Sequence, residues 1–238
     1  MSAIKGNLYM IYHEARWHMV QVMFLYVILP LMVLWVIIGL LFNLTPDVAT
    51  AIPIPVYINI IIYAVTGYKS QYLSAVSLGS TRVHYLKAFY LVGLGSVIAS
   101  ILLLNICQYL LKTIYQQLFG WSKILHPGLL VQPGYHFITY FWVDLMVGLF
   151  LFGLTFLIYS LWYRLGTAKI LLIAMIFFSG TTLLYYGGIL RSWYIWLLGL
   201  PISPSGYFIL LGAAGLLALL FTYPLMRNAP LQPKPRKD

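Results

Sequence analysis

The chain has 238 residues, of which 62% are hydrophobic and only 8% are charged, and its formal net charge is +10. A soluble domain with so few charges would expose large uncharged faces to water, so the composition indicates an integral membrane protein. The single cysteine, Cys107, excludes an intramolecular disulfide and a metal site built from cysteines.

Six apolar runs fill most of the chain, and Asp144 is the one charged residue well inside any of them. The hydrocarbon layer of a bilayer is about 30 Å thick and takes about 20 helical residues to cross. We therefore predict an all-α polytopic membrane protein with a transmembrane domain over residues 19–226. Its six transmembrane helices are expected at residues 19–43, 52–68, 85–111, 135–163, 168–190 and 206–226.

The basic residues divide unequally between the two sides of such a bundle. With the N-terminus inside, the cytoplasmic side holds Lys5, Arg16, Lys69, Arg82, Lys87, Arg164, Lys169, Arg227, Lys234, Arg236 and Lys237, and the outer side holds Lys112, Lys123 and Arg191. This positive-inside bias predicts that both termini face the cytoplasm and that the cations meet anionic lipid headgroups. The protein is thus expected in the cell (plasma) membrane, and its positive charge does not require a nucleic-acid partner.

The first 18 residues predict a helix at the membrane surface. Ile4, Leu8, Ile11 and Ala15 recur at spacings of four, three and four, which is the period of an amphipathic helix. We expect this helix to lie along the inner membrane surface. In the span that follows, Pro30 favours a kink because proline lacks an N–H group and its ring clashes with the preceding turn.

The segment 69–84 is the longest cytoplasmic connection. Tyr72, Val76 and Ser77 recur at helical spacing, Gly79 can end a helix, and Ser80 or Thr81 can cap the next one. The pattern predicts a short helix, a break and then the third span. Within that span, Gly95 with Ala99 and Ser96 with Ser100 are small residues four apart, which allow close approach of another helix.

Two outer segments and the C-terminal tail complete the layout. The outer loop 112–134 is rich in glycine and proline, and predicts turns with one short helix. The segment 189–204 has an apolar stretch too short to cross a bilayer, so we expect a re-entrant or interfacial outer hairpin. The basic, proline-rich tail 227–238 is expected to be disordered.

The histidines do not form a catalytic or metal-binding pattern. His13 and His18 are five residues apart, so they do not share one helix face, and the separation differs from that of the zinc-protease motif HExxH. The remaining histidines, which are expected to be solvated or interfacial, are His84, His126 and His136. Because the histidines are scattered and carboxylates are nearly absent, the chain is not expected to be an enzyme. It also lacks a phosphate-binding GxxxxGK[ST] loop, so it is not expected to bind nucleotide itself.

Asp144 is the one residue inside a span whose chemistry points to function. An intramembrane carboxylate is costly and is usually protonated, paired or exposed to a wet cavity. It could line a translocation path. The interpretation we favour is a neutral acid bonded to a tyrosine, threonine or backbone carbonyl of a neighbouring helix, because no second charge lies inside a span to complete a proton relay.

The layout as a whole resembles the permease subunit of an ATP-binding-cassette exporter of the second type. The resemblance covers nearly the whole chain as topology, and its local motif is Ser77-Leu78-Gly79-Ser80-Thr81-Arg82, which is similar to the family's small-Gly-x-[Ser/Thr]-Arg sequence between spans two and three.

The resemblance implies a permease path that is driven by a separate ATPase subunit, which would carry the ATP and Mg. In that family the loop between spans two and three forms a coupling helix that docks on the ATPase, and the N-terminal surface helix touches it as well. The implied contact residues here are Tyr72, Leu73, Val76, Ser77, Leu78, Gly79, Ser80, Thr81 and Arg82. A second permease chain, identical or different, would complete the path for an amphipathic cargo such as a drug, a peptide or a lipid.

Two other classes of function remain open. An ion-coupled secondary transporter or channel would use Asp144 and would need no ATPase. A membrane subunit without transport activity would bind partners and move no cargo.

Overall fold

The computed structural model describes residues 3–42, 50–121 and 124–230. Most of the connection between the first two predicted spans, Lys123 and most of the predicted tail lie outside these ranges. The described chain is helical apart from its connections. Its α-helices are α1 (Ala3–Ala15), α2 (Leu29–Phe42), α3 (Pro53–Ser77), α4 (Arg82–Phe119), α5 (Phe137–Leu165), α6 (Thr167–Tyr186), α7 (Ile189–Leu198) and α8 (Pro204–Met226).

Five described segments are long and apolar enough to cross a membrane, which fits a polytopic membrane protein. They are Lys5–Phe42, Arg82–Phe119, Phe137–Leu165, Thr167–Tyr186 and Pro204–Met226. The helix α3 is not among them, because its second half carries several polar residues. A sixth span at 52–68, the orientation of the termini and the re-entrant hairpin therefore stay predictions.

The N-terminal helix does not end at residue 18. It continues through a π-helical segment, Arg16–Ile28, into α2. Pro30 follows directly, and the Leu29 N–H donates to the carbonyl of Phe24, five residues back. Since a proline ring clashes with the carbonyl four residues before it, a wider turn at this point relieves that clash. The proline thus accompanies a change of helical pitch over the residues before it.

The prediction of a separate short helix after residue 69 was wrong. The helix α3 runs without interruption to Ser77, because neither glycine nor proline occurs between residues 68 and 77. The predicted break is confirmed: Gly79 has φ +91°, and the Thr81 side chain accepts a hydrogen bond from the His84 N–H at 3.2 Å. Only glycine adopts such a φ without strain. A tight hairpin therefore joins α3 to α4.

The tightest packing in the fold is between α5 and α8. A Cβ atom added to Gly153 would lie 1.9 Å from the carbonyl oxygen of Gly215, and one added to Gly215 would lie 2.4 Å from the Cα of Phe150. Glycines at these positions let the two backbones touch. The core on the other side of α5 is aromatic, with Phe152 and Phe156 fully buried against α3 and α4.

The helices α6 and α7 pack little against the rest of the chain. The helix α6 has no buried residue along its length, and a turn at Gly187 and Gly188 leads from it into α7. Large apolar side chains such as Phe177 and Trp193 are exposed. This hairpin presents its apolar surface to whatever surrounds the protein.

Candidate functional site

Asp144 lies at the centre of a buried polar cluster between α3, α4 and α5. Its side chain is fully buried. The Tyr57 hydroxyl of α3 donates a hydrogen bond to Oδ1, and Asn105 Nδ2 of α4 donates one to Oδ2 at 3.0 Å. The tyrosine partner expected for Asp144 on a neighbouring helix is thus confirmed.

His126 completes this cluster, although the sequence predicted a solvated or interfacial role for it. Its Nε2 atom lies 2.7 Å from Asp144 Oδ1, and both side chains are fully buried. The distance between the two atoms is short, but Nε2 makes no hydrogen bond that meets the geometric criteria among the described residues. The prediction for His126 was wrong because the outer loop folds back into the bundle.

The segment that carries this histidine is residues 124–136, which we call the plug loop. The Leu125 N–H donates to the carbonyl of Thr50 at 2.9 Å, and a short 3₁₀-helix, Pro127–Leu130, follows. The ring of His126 stacks on Tyr140 of α5 with 4.1 Å between ring centroids. The loop therefore covers one end of the α3–α4–α5 bundle and places an imidazole inside it.

Local hydrogen bonds determine the tautomer of His126. The Gly128 N–H donates to His126 Nδ1 at 2.8 Å, so Nδ1 acts as an acceptor and carries no proton. The ring is then neutral, with its proton on Nε2 facing the carboxylate. Two side chains, Tyr57 and Asn105, donate hydrogen bonds to the carboxyl group of Asp144, and the Nε2 atom of His126 faces the same group.

The neighbouring amides of α4 are only partly satisfied. Asn105 Nδ2 donates both to Asp144 and to the carbonyl of Ile101, while Asn105 Oδ1 has no partner among the described residues. Gln108, one turn further along the same face, is fully buried and its amide is likewise unpaired within that part of the chain. Buried polar atoms without partners are costly, and they are frequent at functional sites.

The cluster joins a carboxyl group, an imidazole, a phenol and an amide in one buried polar site, and nothing in its geometry suggests nucleophilic chemistry. No group of three or more histidine, cysteine, aspartate or glutamate side chains is close enough to hold a metal ion in the described ranges. Sequence reasoning found Asp144 and missed His126 and Asn105. The available signal was that His126 stands in an apolar Leu-His-Pro-Gly segment, where a solvated histidine is unusual.

The predicted coupling residues lie at the opposite end of α4, around the α3–α4 turn. We call residues 73–82 the hairpin tip. Leu73 is 50% exposed and Leu78 is 77% exposed, whereas Ser80 is buried. Tyr72, which precedes the tip, is also buried. Tyr72 and Ser80 therefore do not face outward, although both belong to the predicted contact set.

The helix α1 packs beside the hairpin tip through polar contacts. Asn7 Nδ2 donates to Ser80 Oγ at 2.5 Å, and Gln71 Nε2 donates to Glu14 Oε2 at 3.0 Å. Burial raises the pKa of the Tyr72 hydroxyl, and the nearby guanidinium of Arg82 partly offsets this increase. The tip and α1 therefore form one joined surface.

No family model, curated protein or solved structure matches this chain. The geometry of these two regions, at opposite ends of α4, is thus the basis for any assignment of function.

Proposed function

We propose that this chain is the permease subunit of an ATP-binding-cassette exporter of the second type, with the hairpin tip as its contact with a separate ATPase. The observation that carries the proposal is the exposure of Leu78, which is 77% accessible at a turn among polar and cationic residues. Leu73, which is 50% exposed, lies on the same tip, so a partner would have two apolar side chains to contact there. ATP and Mg would be bound by the ATPase subunits.

The packing behind the tip supports a role in transmitting movement. Tyr68, Tyr72 and Tyr85 form a cluster of aromatic rings with centroids 5.0 to 5.5 Å apart. Tyr68 also contacts Phe156 and Tyr159 of α5. Since packed aromatic rings move together, displacement of the tip would shift α5 as well.

The contacts of α1 support the same proposal. Its bonds to Ser80 and Gln71 hold it against the tip, and a notch of about 330 Å³ lies beside them, lined by Tyr9, Met10, His13 and Gln71. A partner that contacts the tip would also reach this notch. The second permease chain and lipid would cover the exposed α6 and α7.

The test is a mild-detergent pull-down of the tagged chain from its native host, with mass spectrometry of the recovered proteins. We expect a stoichiometric P-loop ATPase. The Leu78→Asp and Arg82→Glu variants should lose it while still inserting into the membrane. Leu130→Asp is the matched control, because Leu130 is 72% exposed and lies in the plug loop at the other end of α4.

Recovery of an ATPase by wild type and Leu78→Asp alike would reject the assigned contact. A lone oligomer without any ATPase would reject the exporter itself. Recovery of other membrane partners, with no nucleotide-driven movement of cargo, would favour a subunit without transport activity.

A second candidate is an ion-coupled transporter or channel, which the buried His126–Asp144 contact favours. Such a protein would move its substrate in liposomes without any ATPase. Transport by the wild-type protein would follow the imposed proton gradient, and Asp144→Asn would abolish this gradient-dependent transport.

A further inference from the structure

We infer that the groove between the N-terminal helix and α4 is a binding site for one anionic phospholipid, with its phosphate beside Arg16 and one acyl chain over Gly95. The inference does not depend on an ATPase partner. It concerns a surface near the hairpin tip, at the other end of α4 from Asp144.

The groove has a volume of about 410 Å³ and lies between two helix faces. Its walls include Tyr12, Arg16 and Val20 of the N-terminal helix and Leu91, Gly95 and Ala99 of α4. Each set recurs every four residues, so each lies on one face of its helix. A Cβ atom added to Gly95 would meet no atom of another segment, so the described chain leaves this part of the groove unfilled.

The groove has a polar end and an apolar end, because both helices lead away from the hairpin tip. At the tip, Asn7 Nδ2 of the N-terminal helix donates to Ser80 Oγ. Further from the tip, Asn59 Nδ2 of α3 lies 3.3 Å from Met19 Sδ. Arg16 stands between these two levels, so it lies at the entrance of the apolar part of the groove.

Two cations give the polar end of the groove a positive charge. Arg16 lines the groove, and Lys87 is exposed on the same face of α4, one turn before Leu91. Neither cation forms a salt bridge within the described ranges. The carboxylates in those ranges are engaged elsewhere, since Glu14 contacts other side chains and Asp144 is in the buried cluster. The charge of an anionic phospholipid complements these two cations.

The position of the cations along the chain favours a lipid over a soluble anion. Arg16 is followed by Trp17, which is 50% exposed, and tryptophan is enriched at the headgroup layer of membranes. The groove is formed by Lys5–Phe42 and Arg82–Phe119, both of which are apolar enough to cross a membrane. A soluble anion would contact only the cations, whereas a phospholipid would also fill the apolar part.

The shape of the groove favours an acyl chain over a second helix. From Leu91 to Ala99 it extends about 12 Å along α4, and a helix with its side chains is about 10 Å across. Tyr12 and Leu91, on opposite walls, are 56% and 67% exposed, so they would hold a helix away from Gly95. An acyl chain is narrower and flexible, and can lie between these walls.

Native mass spectrometry tests the headgroup contact. The purified chain in mild detergent is given equal amounts of dioleoyl phosphatidylglycerol and dioleoyl phosphatidylcholine. We expect one phosphatidylglycerol per chain, preferred roughly tenfold, because each cation near an anionic lipid changes its binding by about a factor of five. The double variant Arg16→Gln/Lys87→Gln should lose the preference. Lys169→Gln is the matched control and should keep it, because Lys169 is an exposed cation at the start of α6.

A second variant tests the acyl-chain contact in the same assay. Gly95→Leu should reduce retention of phosphatidylglycerol roughly tenfold, as expected when about two methylene groups are displaced from the groove. Gly180→Leu is its matched control, since a Cβ atom there also meets no atom of another segment, and α6 does not line the groove. It should retain the lipid as wild type does.

Three results would overturn the site. The first is equal retention of the two lipids by the wild-type protein, and the second is unchanged retention by Gly95→Leu. The third is a lipid-free dimer that Gly95→Leu dissociates, because a second copy of the chain would then occupy the groove. Thermal unfolding of the wild-type protein needs no variant: phosphatidylglycerol should raise its Tm more than phosphatidylcholine does, and equal shifts would reject the proposal.

Discussion

The helices α6 and α8 are both apolar enough to cross a membrane, yet the chain uses them differently. Against α5, α8 packs so closely that glycine backbones touch, whereas α6 has no buried residue. Hydropathy describes what a helix can lie in, and packing depends on small residues on matching faces. The described molecule thus has a packed bundle and a peripheral α6–α7 hairpin.

The largest expected effect comes from a bulky residue at the contact of α5 and α8. Gly153→Leu should destabilise the bundle by more than about 4 kcal/mol, because even a Cβ atom would overlap the Gly215 carbonyl. Gly180→Leu in α6 is the control and should change stability by less than about 0.5 kcal/mol, since no atom lies near its added Cβ. Unfolding in detergent micelles measures both. Equal losses of stability in the Gly153→Leu and Gly180→Leu variants would show that α6 is packed against a partner.

Removal of an aromatic ring is expected to have the second largest effect on stability, and this effect should again differ between the bundle and the α6–α7 hairpin. Phe156→Ala should cost about 3 kcal/mol, because the ring is fully buried and contacts Phe89 with 4.9 Å between centroids. Phe177→Ala in α6 should cost under about 1 kcal/mol, since its ring is 74% exposed. The same unfolding assay compares them. A large loss at Phe177 in membranes, but not in detergent, would identify a second chain on α6.

Substitution of Asp144 in the polar cluster of the bundle is expected to have an intermediate effect on stability. Asp144→Ala should destabilise by about 2 kcal/mol, because Tyr57 and Asn105 would lose a buried acceptor. Ser192→Ala in α7 should be nearly neutral, since its hydroxyl bonds only to the carbonyl of Gly188 on an exposed surface. The comparison uses thermal unfolding of the purified variants. A stabilised Asp144→Ala would show that the charge costs more than its hydrogen bonds return.

The smallest effect is expected within the peripheral hairpin. Gly188→Ala should cost about 1 kcal/mol, because this residue has φ +75° at the turn between α6 and α7. The strain should remain local, since few contacts join this hairpin to the bundle. Hydrogen exchange should rise in α6 and α7 alone, and faster exchange in α8 would contradict the division into two regions.

Local signals predicted the break between α3 and α4, although other predicted helix ends, such as those at residues 18 and 68, were wrong. Gly79 ends the α3 segment and Thr81 caps α4, because both effects depend on backbone geometry within a few residues. The small residues predicted to allow close approach differ in their surroundings within the chain, since Ser100 is fully buried and Gly95 faces no other segment. A Cβ atom at Gly95 would meet no neighbour, and a cavity of about 410 Å³ lies there instead. Which small residues touch depends on which helix faces meet.

Of the residues in the candidate site, the sequence indicated one and missed the others. Asp144 stood out because a charge inside an apolar run is unfavourable wherever the run lies. Its partner His126 comes from a loop that folds back, and Asn105 comes from another helix, so no spacing along the chain connects them.

The amino-acid sequence by itself determined that this is an all-helical protein with apolar segments of membrane-crossing length, because hydropathy and length are properties of each segment alone. Tertiary structure decided that α8 is packed while α6 is exposed, and that a loop histidine faces the buried carboxylate. Those outcomes depend on which surfaces meet, since a buried charge or a glycine acquires its role only from the atoms that other segments bring to it.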